Sequence, residues 1–371
     1  MTKQNILILF GGASSEHEVS VMSAASVIKA IDKEMYNIVA AGITPEGYFE
    51  LMDDQVMVNQ PDWPGFTEPR FTHQEGRATL LVSPGEGRIY AKRDNQLERL
   101  HVDAVFPVLH GPFGEDGRLQ GLLEMCGLPY VGAGVLSSAL SMDKGIAKRL
   151  FQQAGFEQTP YLETRISHPK TDLKTFMLQV ELELGFPVFV KPANLGSSVG
   201  ISKAANCDEL ENALQYAAVY DRKVLVEQAV NAREIECAVL GSHDPQASLP
   251  AEVLPSRDFY DYEDKYFSGA SRTQTPADLS PEQQEHVRQT ALNVYQLLEC
   301  QGLARVDFFL DRDTGRLLVN EVNTMPGFTK ISLYPKMWEV SGLTYTHLIH
   351  RLIQDAFLKQ TQYEGVPTSV E

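Results

Sequence analysis

Leu303 to Leu333 reads LARVDFFLDRDTGRLLVNEVNTMPGFTKISL. It opens on an apolar run that carries Arg305 and Asp307, passes through a polar turn from Asp311 to Gly315, and resumes as LLVNEVN with Glu321 and Asn323. Two apolar runs around a short Gly-containing turn predict a β-hairpin. Side chains two residues apart share a strand face, so Arg305 goes with Asp307 and Glu321 with Asn323. In the right register that face gathers a guanidinium, two carboxylates and an amide. Asp, Glu and Asn offer oxygen ligands, which suit a hard cation, and Mg²⁺ beside phosphates uses few protein carboxylates. NTMPGFT follows as a Pro-Gly turn able to aim backbone N–H groups at an anion. A hairpin with solvated carboxylates has the same spacing, so the rest of the chain must decide.

The 371 residues suffice for roughly two or three domains with ample core. Hydrophobic residues at 43% and charged residues at 22% are ordinary for a globular protein. A net charge of −17 argues against a nucleic-acid or anionic-membrane partner and allows only a local basic pocket for phosphates. No apolar run approaches the ~20 residues that span a bilayer. MTKQNILILFGG runs into a Gly-Gly turn and lacks a signal peptide's long apolar core. Cys126, Cys207, Cys237 and Cys300 are scattered without CxxC or zinc spacing, as expected of reduced thiols in a cytoplasmic protein.

The first unit reads β–α–β: NILILF is a strand, Gly11-Gly12 turns the chain, and a helix runs from about Ser15 to Asp32. Ser15 with Glu18 has the form of a capping box. Tyr36 to Thr44 is the second strand, and the alternation predicts a parallel sheet with crossover helices. From about Leu51 to Asn95 the pattern is weak, with short strands such as Thr79 to Val82. HVDAVFPVLH is a buried strand that delivers His110 to the loop HGPFGEDG, on the sheet edge where ligands bind. A helix from Arg118 to Cys126 and a strand PYVG close this unit near Gly132.

One helix is expected over SSALSMDKGIAKRLFQQAG, ending at Gly155, and a strand–Gly/Ser loop–strand over FPVFVKPANLGSSVGISKA. A helix from Asp208 to Val219 leads to the strand VLVEQAV. EIECAVLG and AEVLP are further strands, Ser256 to Pro276 is a polar, aromatic-rich loop, and Pro281 to Cys300 is a helix. Another helix lies near Tyr345 to Phe357, and Lys359 to Glu371 reads as a polar, disordered tail.

Gly196-Ser197-Ser198-Val199-Gly200 is no P-loop, since no Lys-Ser or Lys-Thr follows, and GAGVLS at Gly132 is no dinucleotide fingerprint. A Gly-Ser-Ser-x-Gly turn can still cover phosphates with N–H and hydroxyl donors, or be a flexible tip. Lys191 lies in an apolar strand and calls for an anionic partner, whereas Lys144 alone would pass for a surface lysine. VEQAV followed by Glu234 is a segment where backbone groups from Gln228 to Val230 would read an adenine and a carboxylate would take ribose hydroxyls. A buried strand explains VLVEQAV as well. Glu18 fits the helix dipole; Glu16, nearest the turn, is the better candidate for an ammonium group. His110 reads equally as a satisfied loop histidine or a substrate contact. RDFYDYEDKYF, with Lys265, Tyr260, Tyr262 and Tyr266, is either a solvated loop or a lid that packs down on binding.

The hairpin resembles the metal-binding hairpin of ATP-grasp enzymes. GGASSEHEVS, HGPFGEDG, SMDK, FVKPANLGSSVG, VEQAVNAREIECAVLG, FYDYEDKY, ARVDFF and NEVNTMPGFTKISLYP, in that order, resemble the D-alanine–D-alanine ligase family from about Asn5 to Phe357. That resemblance implies an α/β chain with an N-terminal parallel-sheet substrate domain (1–132) and two ATP-grasp subdomains (133–227 and 228–371) enclosing the nucleotide. It implies ATP and two Mg²⁺ (or Mn²⁺) as cofactors, and ligation of two D-alanines through a D-alanyl phosphate for peptidoglycan precursors. A cytoplasmic homodimer with small-molecule substrates, and neither nucleic-acid nor membrane partners, completes the expectation.

By the same resemblance Lys144, Lys191 and Lys265 would meet ATP, with Ser197 and Ser198 closing over its phosphates. Glu227, Gln228, Ala229, Val230 and Glu234 would bind adenosine. Asp307, Glu321 and Asn323 would hold the metals, Glu321 bridging. Glu16 would hold the first D-alanine's ammonium in a chain with Ser197 and Tyr266, and Val19, Ser20 and His110 would also bind substrate. Arg305 and the Gly327 N–H would form the oxyanion site; Ser332 and Leu333 would receive the second carboxylate. A phenol at Tyr266 favours an amine over a hydroxy acid, so Tyr266→Phe would gain D-lactate use.

Two other readings compete. An ATP-grasp ligase for another substrate is disfavoured by HGPFGEDG and EDKY, which belong to the substrate side. A non-catalytic nucleotide-binding regulator would be expected to lack Asp307, Glu321 or Arg305, and all three are present.

Overall fold

The computed structural model describes residues 2–53, 78–84, 88–168, 171–254, 272–329 and 331–361. The first segment contains β1 (Gln4–Gly11), α1 (His17–Ala30), β2 (Tyr36–Ile43), β3 (Phe49–Met52), β4 (Thr79–Ser83), β5 (Arg88–Arg93), β6 (Gln96–Leu100), β7 (Ala104–Val108) and α2 (Arg118–Met125). Its sheet has the order β6-β5-β4-β3-β2-β1-β7. The expected parallel arrangement is present where β1 pairs with β2 and β7, and the weakly patterned region extends it as an antiparallel meander.

Two faces of β1 explain its unbroken apolar run. Leu7 and Leu9 pack with Val105, Leu119 and Leu123 on one side. Ile6, Ile8 and Phe10 pack on the other with α1 and with residues near the C-terminus, among them Trp338, Leu348 and Leu352. A strand buried on both sides has no polar face to show, and each such side chain contributes about 1.5–3 kcal/mol by burial. The same core therefore joins the first sheet to the end of the chain.

The middle segment contains α3 (Val135–Met142), α4 (Lys144–Gln153), β8 (Tyr161–Arg165), α5 (Lys174–Glu183), β9 (Val188–Pro192), β10 (Ser202–Ala204), α6 (Cys207–Ala218) and β11 (Lys223–Gln228). Its antiparallel sheet runs β10-β9-β11-β8. The last segment contains β12 (Ala232–Leu240), β13 (Gln246–Ala247), β14 (Ala251–Leu254), β15 (Arg272–Gln274), α7 (Pro281–Leu297), β16 (Leu303–Asp311), β17 (Leu317–Asn323), α8 (Leu333–Val340) and α9 (Tyr345–Thr361). Here the order is β15-β14-β12-β16-β17, with β13 on β12.

Five local expectations are corrected. The long helix before Gly155 is two helices, because Asp143 leaves helical geometry and accepts the Ile146 N–H as an N-cap. The N-cap of α1 is Glu16 and not Ser15, and Ser14 accepts the Glu16 N–H and donates to the His110 carbonyl. PYVG forms only a bridge between Tyr130 and Val105. α8 fills a stretch left unassigned. Lys359, placed in a tail, is buried on α9 and donates to the Gly132 carbonyl at 2.7 Å.

Candidate active site

The hairpin pairs in the register its chemistry needs. Arg305 lies opposite Asn323 and Asp307 opposite Glu321, with a shift just after Asp307. Arg305 Nε and Nη2 each approach an Asp307 oxygen at 2.7 Å, and Asn323 Nδ2 donates to Asp307 at 2.9 Å. β12 brings Glu236 opposite Asp307, and its carboxylate lies 3.0 Å from Arg305 Nε. Burial works against the guanidinium charge, but Asp307 and Glu236 outweigh it and push the Arg305 pKa well above its ordinary value. Glu236 was missed in the sequence, although it alternates with Glu234 on a strand that is apolar from Cys237 onward.

Lys191 finds its anion in Glu227, at 2.9 Å on the neighbouring strand. The same carboxylate lies 3.5 Å from Lys148, a buried lysine of α4 that the sequence reading passed over. Burial opposes both lysine charges; Glu227 overcomes this for Lys191, whose pKa rises, and not for Lys148, whose pKa falls. For Glu227 burial acts upward, and the two lysines outweigh it and hold the carboxyl below its usual range. Lys144 donates to the Leu195 carbonyl at 2.7 Å and lies 3.4 Å from Glu321, linking α4, the Gly/Ser loop and the hairpin.

In the adenine segment, the Gln228 N–H donates to Pro160 and the Ala229 N–H to Pro187. These two N–H groups, expected to be free for a base, are thus already engaged within the fold. Gln228 and Val230 are half-buried. Glu234 lines one cavity with Lys144, Lys191, Ser197, Ser198 and Asp307.

A second cavity is lined by Glu16, Val19, His110, Glu115, Gly327, Ser332 and Leu333. Glu16 accepts a hydrogen bond from the Ser197 hydroxyl, and a Cβ on Gly196 would stand 2.9 Å from its other oxygen. Gly327 is equally confined, since a Cβ there would meet Ser332 Oγ at 2.9 Å. Ser332 is the N-cap position of α8, so the helix N-terminus opens toward this cavity and favours an anion. Ser20, expected at the substrate, is instead a fully buried strap: it accepts the Gly11 N–H and donates to the Val108 carbonyl. Lys265 and Tyr266 lie outside the described residues.

His110 is buried, with Nδ1 2.9 Å from the Met325 carbonyl and Nε2 3.1 Å from Ser23 Oγ. Burial lowers its pKa, although Glu16 acts the other way. Glu115, also unforeseen, accepts the Gly111 N–H at 2.7 Å and the Met325 N–H at 2.8 Å. Burial, with Glu16 nearby, pushes its carboxyl up to about 8.

Gly196, Ser197, Glu236, Arg305 and Glu321 border both cavities. A lysine- and carboxylate-lined chamber under a Gly/Ser loop thus meets the Glu16- and Ser332-lined one across an arginine. This is the arrangement of an ATP-grasp enzyme, which activates a carboxylate with a nucleotide.

Family models narrow the class. The model described as D-ala D-ala ligase N-terminus matches residues 5–133, and that described as D-ala D-ala ligase C-terminus matches 150–354. A D-alanine–D-alanine ligase of Caldicellulosiruptor bescii is 46% identical over 371 residues, covering 100% of both chains. One from Thermoanaerobacter sp. is 49% identical over 357 residues, 95% of this chain and 96% of the relative. Among solved structures, the D-alanine–D-alanine ligase of Coxiella burnetii superposes with a TM-score of 0.83 at 34% identity, covering 98% of this chain and 97% of that one. A D-Ala:D-Ser ligase of Enterococcus faecalis superposes with a TM-score of 0.82 at 33% identity, covering 96% and 100%. The chain belongs to the D-alanine–D-alanine ligase family.

Proposed function

We propose that this enzyme joins two D-alanine molecules into D-alanyl-D-alanine, consuming ATP, for peptidoglycan precursor synthesis. The observation that carries this is the shared wall of the two cavities, across which a carboxylate in one would lie beside a terminal phosphate in the other.

A carboxylate is a poor electrophile. Transfer of the γ-phosphoryl group to the first D-alanine breaks the bond to the β-phosphate, forms an acyl phosphate and leaves ADP. Lys144 and Lys191 offset the phosphate charge beneath Ser197 and Ser198, and Glu227, Glu234 and the segment Gln228–Val230 face adenosine. Asp307, Glu321 and Asn323 fit two Mg²⁺ or Mn²⁺ ions, because their donor set is all oxygen. Bound there, such ions neutralise charge on the transferring group.

Glu16 takes the first D-alanine's ammonium. The second D-alanine places its carboxylate at Ser332, Leu333 and the N-terminus of α8. Its amine, having lost a proton, attacks the acyl carbon, and Arg305 with the Gly327 N–H stabilises the tetrahedral oxyanion. The C–O bond then breaks and inorganic phosphate departs. The acyl phosphate must be kept from water, a task for the Gly/Ser loop and the tyrosine-rich segment. Four free cysteines and the use of ATP support a cytoplasmic setting for the reaction, and the family resemblance alone suggests a homodimer. Among the described residues no helix is long and apolar enough to cross a membrane.

Phosphate release from Mg-ATP with D-alanine, run beside L-alanine and beside D-alanine plus D-serine or D-lactate, tests this when product masses are determined. D-alanine-dependent release with a dipeptide mass is expected. Release only with D-serine or D-lactate present would reassign the second substrate. ATP binding without turnover on any of them would remove the function.

A further inference from the structure

α1 carries a polar stripe through an apolar helix. Glu16, Ser20 and Ser23 fall on one face at helical spacing, with Val19, Ala24 and Val27 buried around them. Glu16 reaches the Gly/Ser loop and Ser20 straps the helix to two strands. Ser23, fully buried and outside the lining of both cavities, does neither. Its Oγ lies 3.1 Å from His110 Nε2 and 3.3 Å from the Phe328 nitrogen.

Donor chemistry fixes the direction of this chain. The Met325 carbonyl can only accept, so His110 Nδ1 carries a hydrogen and donates to it. The Phe328 N–H can only donate, so Ser23 Oγ accepts from it; with the imidazole neutral and its hydrogen on Nδ1, Nε2 carries none and accepts the Ser23 hydroxyl. This arrangement requires a neutral imidazole, in keeping with the burial that lowers the His110 pKa. Ser23 and His110 together thus grip the turn at Met325 and Phe328, the residues on either side of Pro326-Gly327.

We propose that Ser23 is a positioning residue for peptide-bond formation, aiming the Gly327 N–H by fixing His110 and the Phe328 N–H on either side of it. This rests on the function proposed above, in which Gly327 serves the second chemical step and not the first. The consequence is specific to a step: loss of the Ser23 hydroxyl slows amine attack and leaves phosphoryl transfer intact.

Both steps can be read on Ser23→Ala. ATP labelled with ¹⁸O at the β,γ-bridge scrambles its label in the presence of D-alanine when phosphoryl transfer is reversible, and dipeptide formation reports the whole reaction. Dipeptide synthesis at saturating substrates is expected to fall about tenfold while scrambling stays within about twofold of wild type. Ser23→Cys, similar in size but a weak donor, is expected to fall between. Unchanged ligation, or a fall of both rates in step, would overturn the proposal. A wild-type enzyme with neither D-alanine-dependent scrambling nor ligation would instead count against the function on which it rests.

Discussion

Two turns face the substrate cavity and are held in opposite ways. Residues 195–199 are half-buried, and Ser197 and Ser198 sit in the left-handed region with φ of +51° and +59°, a conformation that favours glycine. Two of their ties are the Ser197–Glu16 hydrogen bond and the Lys144 contact to Leu195, both made by side chains assigned to ligands. Residues 325–329 are buried except for Gly327. Glu115, His110 and Ser23 hold their backbone, and the Phe328 ring packs against Phe106, Tyr334 and Tyr345 at centroid distances of 5.5–6.1 Å. Ser23, Phe106, Tyr334 and Tyr345 touch neither cavity. The Gly/Ser turn is thus secured by side chains proposed to meet ligands, whereas the 325–329 turn is also secured from behind, by Ser23 and the aromatic cluster, which line neither cavity. The first suits closure, the second preorganisation.

The sharpest way to break this contrast is Gly327→Ala. The added Cβ must displace Ser332 or the turn itself, moving the N–H from the reacting oxygen. A loss of about 10²–10³ in kcat is expected, the size seen for removing one oxyanion donor, with KM for ATP unchanged in steady-state assays. A near-normal kcat would mean that the buried turn is scaffold only.

Glu115→Gln comes next. Glutamine keeps one acceptor and turns an amide N–H toward the other backbone donor, so kcat should fall on the order of tenfold. Stability carries a second signature. The folded carboxyl sits at about 8 against an ordinary 4.5, so the folded state binds the proton more tightly. That contribution is fully present below 4.5 and is lost as pH rises through 8. Thermal melts across this window should therefore slope less in Glu115→Gln than in wild type; parallel slopes would assign the titration elsewhere.

The chemistry of the hairpin was legible because strand periodicity and residue type are local properties, and the register then brought Asp307 to Glu321. The clamp was not, because its contacts join residues 210, 215 and 305 positions apart. No pattern within α1 announces that Ser23 faces Phe328; the only trace is a buried serine recurring on the face of Glu16. Nearby polar residues also misled. Ser15 and Glu18 satisfy a capping pattern, yet the N-cap is Glu16, whose N–H goes to Ser14 while Ser14 braces the His110 carbonyl. Lys359 reads as tail chemistry until the Gly132 carbonyl is folded against it. Family resemblance supplied roles for Lys144, Glu227 and Gly327 that spacing left open, and it passed over Lys148, Glu115 and Ser23, whose work is to hold other groups.

On the looser turn the effects should be small and of another kind. Ser197→Ala removes the tie to Glu16 and should raise KM for ATP or D-alanine a few-fold, about what one net hydrogen bond supplies, leaving the melting temperature near wild type. Ser198→Gly should do least. Serine in the left-handed region costs roughly 1 kcal/mol, which glycine relieves; glycine also widens the unfolded ensemble by roughly 0.4–1 kcal/mol. The terms oppose, so the melting temperature should move by no more than about 2 °C. A turn freed to sample more conformations should still bind ATP more weakly, by about twofold, since more ordering is needed on closure. A Ser198→Gly variant that melted well below wild type would show the Gly/Ser turn to be as firmly built as the one at Gly327, and the division between a replaceable and a fixed wall would fail.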